Sequence, residues 1–331
     1  MGVAVPARSA RSAAPASLLV LAGIVSVQLG AGLAARLFGE AGPAGVTGLR
    51  LWWAALIMAV FGGRAVARAV RTAVAERAWH DLGTAVAFGI VLGAMNFSIY
   101  QSFARIPLGV AVTIEFLGPL AVAVASSRRL LDLAWVVLAA AGVLLLTQGG
   151  GELASGASHG ASGVASHAGP LFGLSTTATG IGFALVAAAC WAAYILLSRA
   201  TGRRFSDSSG LVIAMIVAAA LVSWPAIAQA GPALGRPSVI AEGLAVGLLS
   251  SVIPYRVELE ALRRVPAGVF GIWMSVEPAV AALIGLVLLS ETLIVRQWLA
   301  IAAVIIASAG AARSSAGAEK PSQELPPPPA S

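Results

Sequence analysis

The sequence RIPLGV at residues 105–110 recurs as RVPAGV at residues 264–269, an offset of 159 positions. In both copies a second proline stands twelve residues after the first, at Pro119 and at Pro278. A motif that repeats together with a neighbouring proline indicates two related halves. This repeat decides how the rest of the chain is interpreted.

The composition around the repeat is typical of a membrane protein. Of the 331 residues, 59% are hydrophobic and only 11% are charged, and the mean hydropathy is +0.91. An average soluble domain carries about 25% charged residues. A water-soluble fold of this length would expose much apolar surface, whereas a lipid bilayer accepts that surface. We therefore expect an integral membrane protein embedded in lipid.

Apolar runs long enough to cross a bilayer occur throughout the chain. A helical span needs about 20 mostly apolar residues, and spans are helical because lipid cannot satisfy backbone polar groups. The predicted spans are 16–35, 45–62, 82–103, 107–127, 131–148, 179–198, 210–229, 239–255, 267–289 and 294–312. Five spans per half is an odd number, so the second half enters the membrane the opposite way round, as in many secondary transporters. The predicted fold is an all-α membrane protein of ten transmembrane helices in two inverted-topology five-helix repeats.

Arginine and lysine are distributed unequally between alternate loops. With the N-terminus in the cytoplasm, 16 of the 21 basic residues fall on the cytoplasmic side. This excess follows the positive-inside rule and predicts an inner-membrane protein with both termini cytoplasmic. The net charge of +7 therefore does not indicate nucleic-acid binding, because the arginines lack aromatic interleaving and a binding fold. The single cysteine, Cys190, excludes an internal disulfide.

The spans divide the chain into two repeats and three connecting or terminal segments. We predict a cytoplasmic tail at 1–15, a first repeat at 16–148, an extracytoplasmic loop at 149–178, a second repeat at 179–312 and a cytoplasmic tail at 313–331. The loop is rich in glycine, serine and alanine and is predicted to be flexible. Its two histidines lack companion ligands, so no metal site is predicted. The proline-rich tail is predicted to be disordered.

Glu115 is the leading candidate for a functional residue. It stands eight residues after Pro107, which is about 12 Å along a helix axis and near the bilayer centre. An ionisable group at that depth is costly and indicates function. Pro119, four residues later, removes a backbone hydrogen bond, so freed carbonyls and a carboxylate meet at one level. Glu115 either binds a substrate amine, exchanges a proton, or is a structural carboxylate bonded to a neighbouring helix.

The second half repeats this theme with a different placement of charge. Glu277 directly precedes Pro278, but it aligns with Gly118, and Glu115 aligns with Met274. The halves are thus asymmetric in charge, as expected for one site at their interface. Glu277 either contributes to that site or is structural.

Other polar residues lie within the spans. Asn96 and Tyr100 are four residues apart and share one face of the third span. They either line a polar path or join neighbouring helices by hydrogen bonds. Gln28 in the first span has the same two interpretations.

Three aromatic residues are candidates for the walls of a substrate cavity. Trp191 and Tyr194 lie in the sixth span and Trp273 in the ninth. Each either contacts substrate or packs against lipid and neighbouring helices. Trp52 and Trp53 fit an interfacial aromatic belt better than a site, and Arg50 beside them is a candidate to face an anionic substrate group. Glu291, where the tenth span begins, is interpreted as structural because carboxylates are favourable near helix N-termini.

The sequence contains no recognisable enzyme motif. HExxH, the Walker-type P-loop and GxSxG are all absent, and these motifs indicate metalloprotease, nucleotide-driven and α/β-hydrolase chemistry. We therefore predict a protein that is not an enzyme, needs no cofactor and is not driven directly by ATP.

The stretch ARIPLGVAVTIEFLGPLAVAVASSRR at 104–129 is similar to the threonine/homoserine exporter branch of the EamA family, in the drug/metabolite transporter superfamily. Asn96 and Tyr100 before it, MSVEPA at 274–279 and SETL at 290–293 agree with this resemblance. It covers nearly the whole chain, from about Ser17 to Ala312. The resemblance implies an inner-membrane carrier that exports small amino acids or related metabolites, with proton exchange as the driving force.

The resemblance and the polar residues together predict a secondary active exporter that works by alternating access. Substrate is expected between the two halves near the bilayer midplane. Two alternatives remain at this level. The chain is either a carrier of another solute class, such as a drug or a sugar conjugate, or a membrane protein that transports nothing. The sequence carries no signal for an oligomeric state.

Overall fold

The computed structural model describes residues 16–125, 132–147, 175–205, 207–262, 264 and 267–318. Within these ranges the regular secondary structure is helical throughout. The predicted N-terminal tail, nearly all of the loop 149–178 and the end of the C-terminal tail lie outside the described residues.

The helices follow the order of the predicted spans, with several of those spans divided. The first half contains α1 (Ala16–Ala75), α2 (Trp79–Phe103), α3 (Leu108–Glu115), α4 (Leu117–Ala125) and α5 (Asp132–Thr147). The second half contains α6 (Thr176–Arg204), α7 (Ser209–Ala230), α8 (Pro237–Gly247), α9 (Ile253–Leu262), α10 (Ala267–Met274), α11 (Glu277–Leu289) and α12 (Val295–Ala318). A 3₁₀ turn, Gly231–Gly235, precedes α8, and a π-helical segment, Leu248–Val252, joins α8 to α9.

The lengths and composition of the apolar helices agree with a multi-pass membrane protein. Within the described residues, seven helical segments are long and apolar enough to cross a bilayer. Two shorter apolar helices, Ala134–Leu146 and Pro237–Val252, accompany them.

The first of the seven segments is a bent helix. Its 59 residues would measure about 90 Å if straight, roughly three times the hydrocarbon thickness. The bend lies at Gly42, whose φ of 68° is a conformation that glycine adopts at no steric cost. Pro43 follows and has no N–H for the helical ladder. α1 therefore consists of two arms, before and after Gly42.

The second arm of α1 is longer than its predicted span of 45–62. The helix continues to Ala75 and carries Arg64, Arg68 and Arg71 beyond the apolar run. Arg71 Nε donates to the carbonyl of Ala67 at 3.1 Å. A helix does not end where its hydropathy falls, because long basic side chains keep their charge in water while the backbone remains helical.

The two halves pack against each other over most of the buried surface. α1 packs mainly against α7, and also against α8 and α9, while α3 packs against α11 and α5 against α12. The largest buried cluster combines α1, α2 and α3 with α6 and α8, and it includes the fully buried Tyr100. The core of the molecule therefore lies between the halves.

The sequence repeat has a counterpart in the backbone. α3 and α10 are both eight residues long, and their ends differ by the same offset of 159 positions. Pro119 offers no N–H to the carbonyl of Glu115, and Pro278 offers none to that of Met274. Both short helices end at these residues, so each copy of the motif leads into a broken helix.

Candidate functional site

Glu115 is the last residue of α3 and is only 9% exposed. Its carboxyl group lies within electrostatic range of Glu277, Arg50 and Cys190. Among the described residues it has no hydrogen-bond partner within 3.5 Å. The broken helix thus presents a carboxyl group in the interior without a fixed partner, which leaves it able to bind an added cation or proton.

Glu277 is the first residue of α11 and is also buried. Gln28 Nε2, on the first arm of α1, donates to Glu277 Oε1 at 2.9 Å. Glu277 Oε2 and Gln28 Oε1 are buried without hydrogen-bond partners in the described part of the chain. Two candidate residues that are 249 positions apart are therefore in direct contact, and each keeps one polar atom free.

Arg50 points into the protein, towards partners on neighbouring helices. Its Nη1 lies 3.2 Å from the hydroxyl of Tyr100, and its Nη2 donates to the carbonyl of Ser250 at 2.9 Å. Its Nε lies 3.3 Å from Ser251 Oγ, and its guanidinium lies 5.4 Å from the Tyr100 ring centroid. The neighbouring helices thus supply Arg50 with inward-facing partners.

The π-helical segment explains why two backbone carbonyls in this region accept hydrogen bonds from side chains. The N–H of Ile253 bonds to the carbonyl of Leu248, so the carbonyl of Leu249 has no helical partner and accepts from Ser26 Oγ at 2.8 Å. Pro254 has no N–H, so the carbonyl of Ser250 is left for Arg50. π-bulges of this kind occur often at functional sites.

The π-helical segment also lies very close to α1. A Cβ added to Gly30 would overlap Ser250 Oγ and would lie 3.0 Å from the Ser250 nitrogen. Only glycine at position 30 allows this approach. The approach places the freed carbonyls of the eighth span beside the first arm of α1.

Of the three aromatic candidates, the structure places one beside Glu115. Trp191 packs edge-on against Phe116, the residue after Glu115, with ring centroids 5.1 Å apart. Tyr194 packs against Phe88 at 5.1 Å in a separate apolar cluster. Trp273 packs with an apolar cluster that includes Ile24.

The two residues of the polar face predicted on the third span, Tyr100 and Asn96, have different partners in the structure. Tyr100 is fully buried between Phe38 and Phe103 and contacts Arg50. Asn96 donates to the carbonyl of Leu92 in its own helix at 2.8 Å. Tyr100 therefore contacts the site through Arg50, whereas the Asn96 amide group is hydrogen-bonded to the backbone of its own helix.

Sequence reasoning missed Glu258. It lies on α9, is partly exposed, and is within electrostatic range of Glu277. The eighth apolar run was predicted to end at residue 255, so Glu258 was assigned to the loop that follows it. A glutamate within one helical turn of an apolar run was the available signal, because the helix continues past the run.

Glu291 connects the halves outside the membrane-spanning segments. Its Oε2 accepts a hydrogen bond from the N–H of Leu108, the first residue of α3, at 2.9 Å. Burial raises the pKa of Glu291 to about 7, and the hydrogen bond from Leu108 offsets part of that rise. Its partner is thus the start of a helix in the other half and not the start of its own helix.

The described residues contain no cluster of three or more histidine, cysteine, aspartate or glutamate side chains able to hold a metal ion. The polar groups of the site are one guanidinium, several carboxyl groups, amides and hydroxyls. Such groups bind charged and hydrogen-bonding solutes directly.

Comparisons with known proteins agree with this geometry. The EamA-like transporter family matches residues 178–313. The threonine/homoserine exporter RhtA of Escherichia coli K12 is 40% identical over 293 residues, which cover 88% of this chain and 90% of that protein. RhtA of Salmonella typhimurium LT2 has the same identity and coverage. A crystal structure with 17% sequence identity superposes with a TM-score of 0.55, covering 92% of this chain and 99% of its own, and shows a shared fold.

Proposed function

We propose that this chain, which belongs to the EamA-like transporter family, is a secondary active exporter of small amino acids such as threonine and homoserine. Family membership confirms the coarser prediction of a membrane transporter of small metabolites that is not an enzyme. The observation that carries the proposal is similarity along nearly the whole chain to proteins named as exporters of these two amino acids.

Ten spans in two inverted repeats remain part of the proposal. The two arms of α1 count as separate spans, and the two shorter apolar helices add to the seven long segments. The equal lengths of α3 and α10 at one offset support the repeat. Five spans per half then place the second half upside down relative to the first.

Two ion pairs agree with the alternation of sides on which the proposal of cytoplasmic termini rests. Arg204 Nε lies 3.0 Å from Asp81 Oδ1, and the charge distribution assigns both residues to the cytoplasmic side. Arg236 Nη1 lies 3.4 Å from Glu40 Oε2, and both belong to the opposite side. In each pair, residues assigned independently to one side are in contact.

The charges of the site match an amino-acid zwitterion. Arg50 presents a planar guanidinium, which suits a carboxylate. Glu115, within electrostatic range of Arg50, suits the substrate ammonium group. Gln28 and Glu277 line the adjoining surface, and Trp191 forms a wall beside Phe116.

Charge balance supports proton-coupled alternating access. Glu115 and Glu277 lie in one apolar interior with Arg50 as the cation within range of Glu115. Buried unpaired charge is costly, so a site that loses the substrate ammonium gains stability by binding a proton in its place. That exchange couples outward movement of substrate to inward movement of a proton. The broken helices at the interface between halves suit the rocking movement.

The first experiment measures amino-acid pools. Cells that overexpress the protein should hold less internal and more external threonine and homoserine than cells that lack it. Unchanged pools of both, with a changed pool of another solute, would assign the fold to a different cargo. No change in any solute pool would overturn the export proposal.

The second experiment tests the zwitterion site. With Arg50→Gln, threonine should compete for homoserine efflux about tenfold more weakly, because a charge-assisted hydrogen bond is lost. Competition by threonine amide, which lacks the carboxylate, should change little. Arg236→Gln is the matched control, since that arginine is exposed in an ion pair with Glu40. If threonine and threonine amide lost competitive strength equally in Arg50→Gln, that result would contradict carboxylate recognition by Arg50.

A further inference from the structure

A third carboxyl group lies between the proposed site and the end of α9. Glu258 stands four residues before α9 ends at Leu262. A Cβ added to Gly23 would lie 3.4 Å from Glu258 Cγ and 3.8 Å from Glu258 Oε1. The side chain of Glu258 therefore lies against the first arm of α1 at Gly23.

The first arm of α1 gives the order of the carboxyl groups. Gly23 faces Glu258, and Gln28, which is bonded to Glu277, follows five residues later. Five residues correspond to about 7.5 Å along the helix axis. α1 begins at Ala16, so Glu258 lies nearer the helix end and Glu277 lies deeper.

Electrostatic contacts connect the three groups in the same order. Glu258 is within electrostatic range of Glu277, and Glu277 is within range of Glu115. Glu258 is partly exposed, whereas the other two are buried. The series therefore runs from a partly exposed carboxyl group near the end of α1 to one at the proposed substrate site.

The surroundings of Glu258 leave it free to exchange a proton. In the described chain it has no hydrogen bond or ion pair, whereas Glu260 on the same helix pairs with Arg264 at 2.8 Å. Residues 16–31 of α1 and all of α10 contain no titratable side chain. Glu277 is thus the titratable group that faces Glu258 from the neighbouring elements, and Arg50 and Cys190 face Glu115 at the far end.

Glu277, the middle carboxyl group of the series, has an oxygen atom without a hydrogen-bond partner among the described residues. Glu277 Oε2 and Gln28 Oε1 are buried without partners in the described residues. Oε2 can therefore carry a proton while Oε1 stays bonded to Gln28.

We propose that Glu258 is the group through which the coupled proton passes between Glu277 and the cytoplasm. The O–H bond of protonated Glu277 breaks as an O–H bond forms on the Glu258 carboxylate. The proton then leaves Glu258 for water, and both carboxylates are restored. This role rests on the proposed proton-coupled export.

The test uses the full-length protein in proteoliposomes, with two measurements on each variant. Counterflow of labelled threonine reports binding and alternation without net proton movement. Threonine transport driven by a pH gradient, with a pH-sensitive dye inside the vesicles, reports coupling. Glu258→Gln should retain counterflow and lose gradient-driven transport by about a hundredfold or more, the scale of one lost proton-transfer group. Glu258→Asp, which keeps a carboxyl group, should retain coupling with an altered pH profile.

Glu260→Gln is the matched control, because it removes a carboxylate two residues away on the same helix and should leave both measurements unchanged.

Full gradient-driven transport by Glu258→Gln would overturn the relay and leave export intact. Loss of counterflow together with coupling, in Glu258→Gln and Glu258→Asp alike, would make Glu258 structural and overturn the relay. Wild-type counterflow without any gradient response would overturn proton coupling and the relay but not export. Absence of wild-type counterflow for threonine and homoserine would overturn the proposed function itself.

Discussion

The broken helix of the first half, α3–α4, and that of the second, α10–α11, share a backbone plan but carry their carboxyl groups at different positions. In the first half the carboxyl group precedes the break, at Glu115, and in the second it follows the break, at Glu277. The break itself also differs. Phe116 alone separates α3 from α4, with φ of −63° and ψ of −12°, whereas residues 275 and 276 separate α10 from α11.

Packing explains why the carboxyl groups are not at equivalent positions. Gly118 is equivalent to Glu277, and a Cβ added to Gly118 would overlap the carbonyl oxygen of Ala188 on α6. No glutamate fits there. The first half therefore carries its carboxyl group on the other side of the break, which produces an asymmetric site suited to an asymmetric substrate.

The largest expected effect follows from removing the charge of one broken helix only. Glu115→Gln should lower threonine and homoserine efflux from loaded cells by roughly tenfold to a hundredfold, because a hydrogen bond to a charged group contributes about 1.5–3 kcal/mol. Met274→Leu, at the equivalent position of the other half, should retain efflux because volume-conserving apolar changes are tolerated. Unchanged efflux and pH dependence in Glu115→Gln would remove Glu115 from the mechanism.

A second expected effect concerns Glu291, which holds the start of α3 from the second half. Because its pKa is raised from 4.5 to about 7 in the folded protein, the folded state binds more protons than the unfolded state between these two pH values. Stability should therefore fall as pH rises from about 4.5 to about 7, by on the order of 3 kcal/mol in total, and should level off above. Glu291→Gln should remove this slope in thermal unfolding scans. A slope equal to that of the wild type would assign the pH dependence to other groups.

A smaller effect is expected from restoring the missing N–H in each broken helix. Pro119→Ala gives the carbonyl of Glu115 a donor, and Phe116 is already nearly helical, so α3 and α4 should merge. We expect a gain of about 1 kcal/mol in stability and a few-fold loss of efflux. Two residues separate α10 from α11, and Pro278 is at one of the first two positions of α11, close to where proline is favoured, so Pro278→Ala should give a smaller gain. Equal gains in thermal unfolding for both variants would show that the two breaks are equivalent.

Much of the fold was predictable because its causes are local. Apolar runs predicted the helical segments, since lipid demands satisfied backbones, and Pro119 and Pro278 predicted the breaks. The extension of α1 to Ala75 was not predictable from hydropathy, because arginines on a helix that has left the apolar layer do not end the helix.

The candidate site was only partly predictable. Glu115 and Glu277 were found because an ionisable residue in an apolar run is conspicuous, and Gln28 because it is polar in the first span. Arg50 was only a minor candidate, because the sequence does not show that Pro254 frees the carbonyl of Ser250 as its partner. Glu258 was missed because its helix continues past the apolar run.

The sequence by itself determined the helical membrane architecture, the repeat and the positions of the broken helices, because these follow from side-chain hydrophobicity and from prolines that lack an N–H. Only the tertiary structure decided which polar groups meet. Gln28 bonds to Glu277 across 249 positions, and Arg50 bonds to Ser250 across 200. Such contacts depend on how each helix is rotated and how closely it approaches its neighbours. That closeness is set by packing, as at Gly30, and not by local sequence.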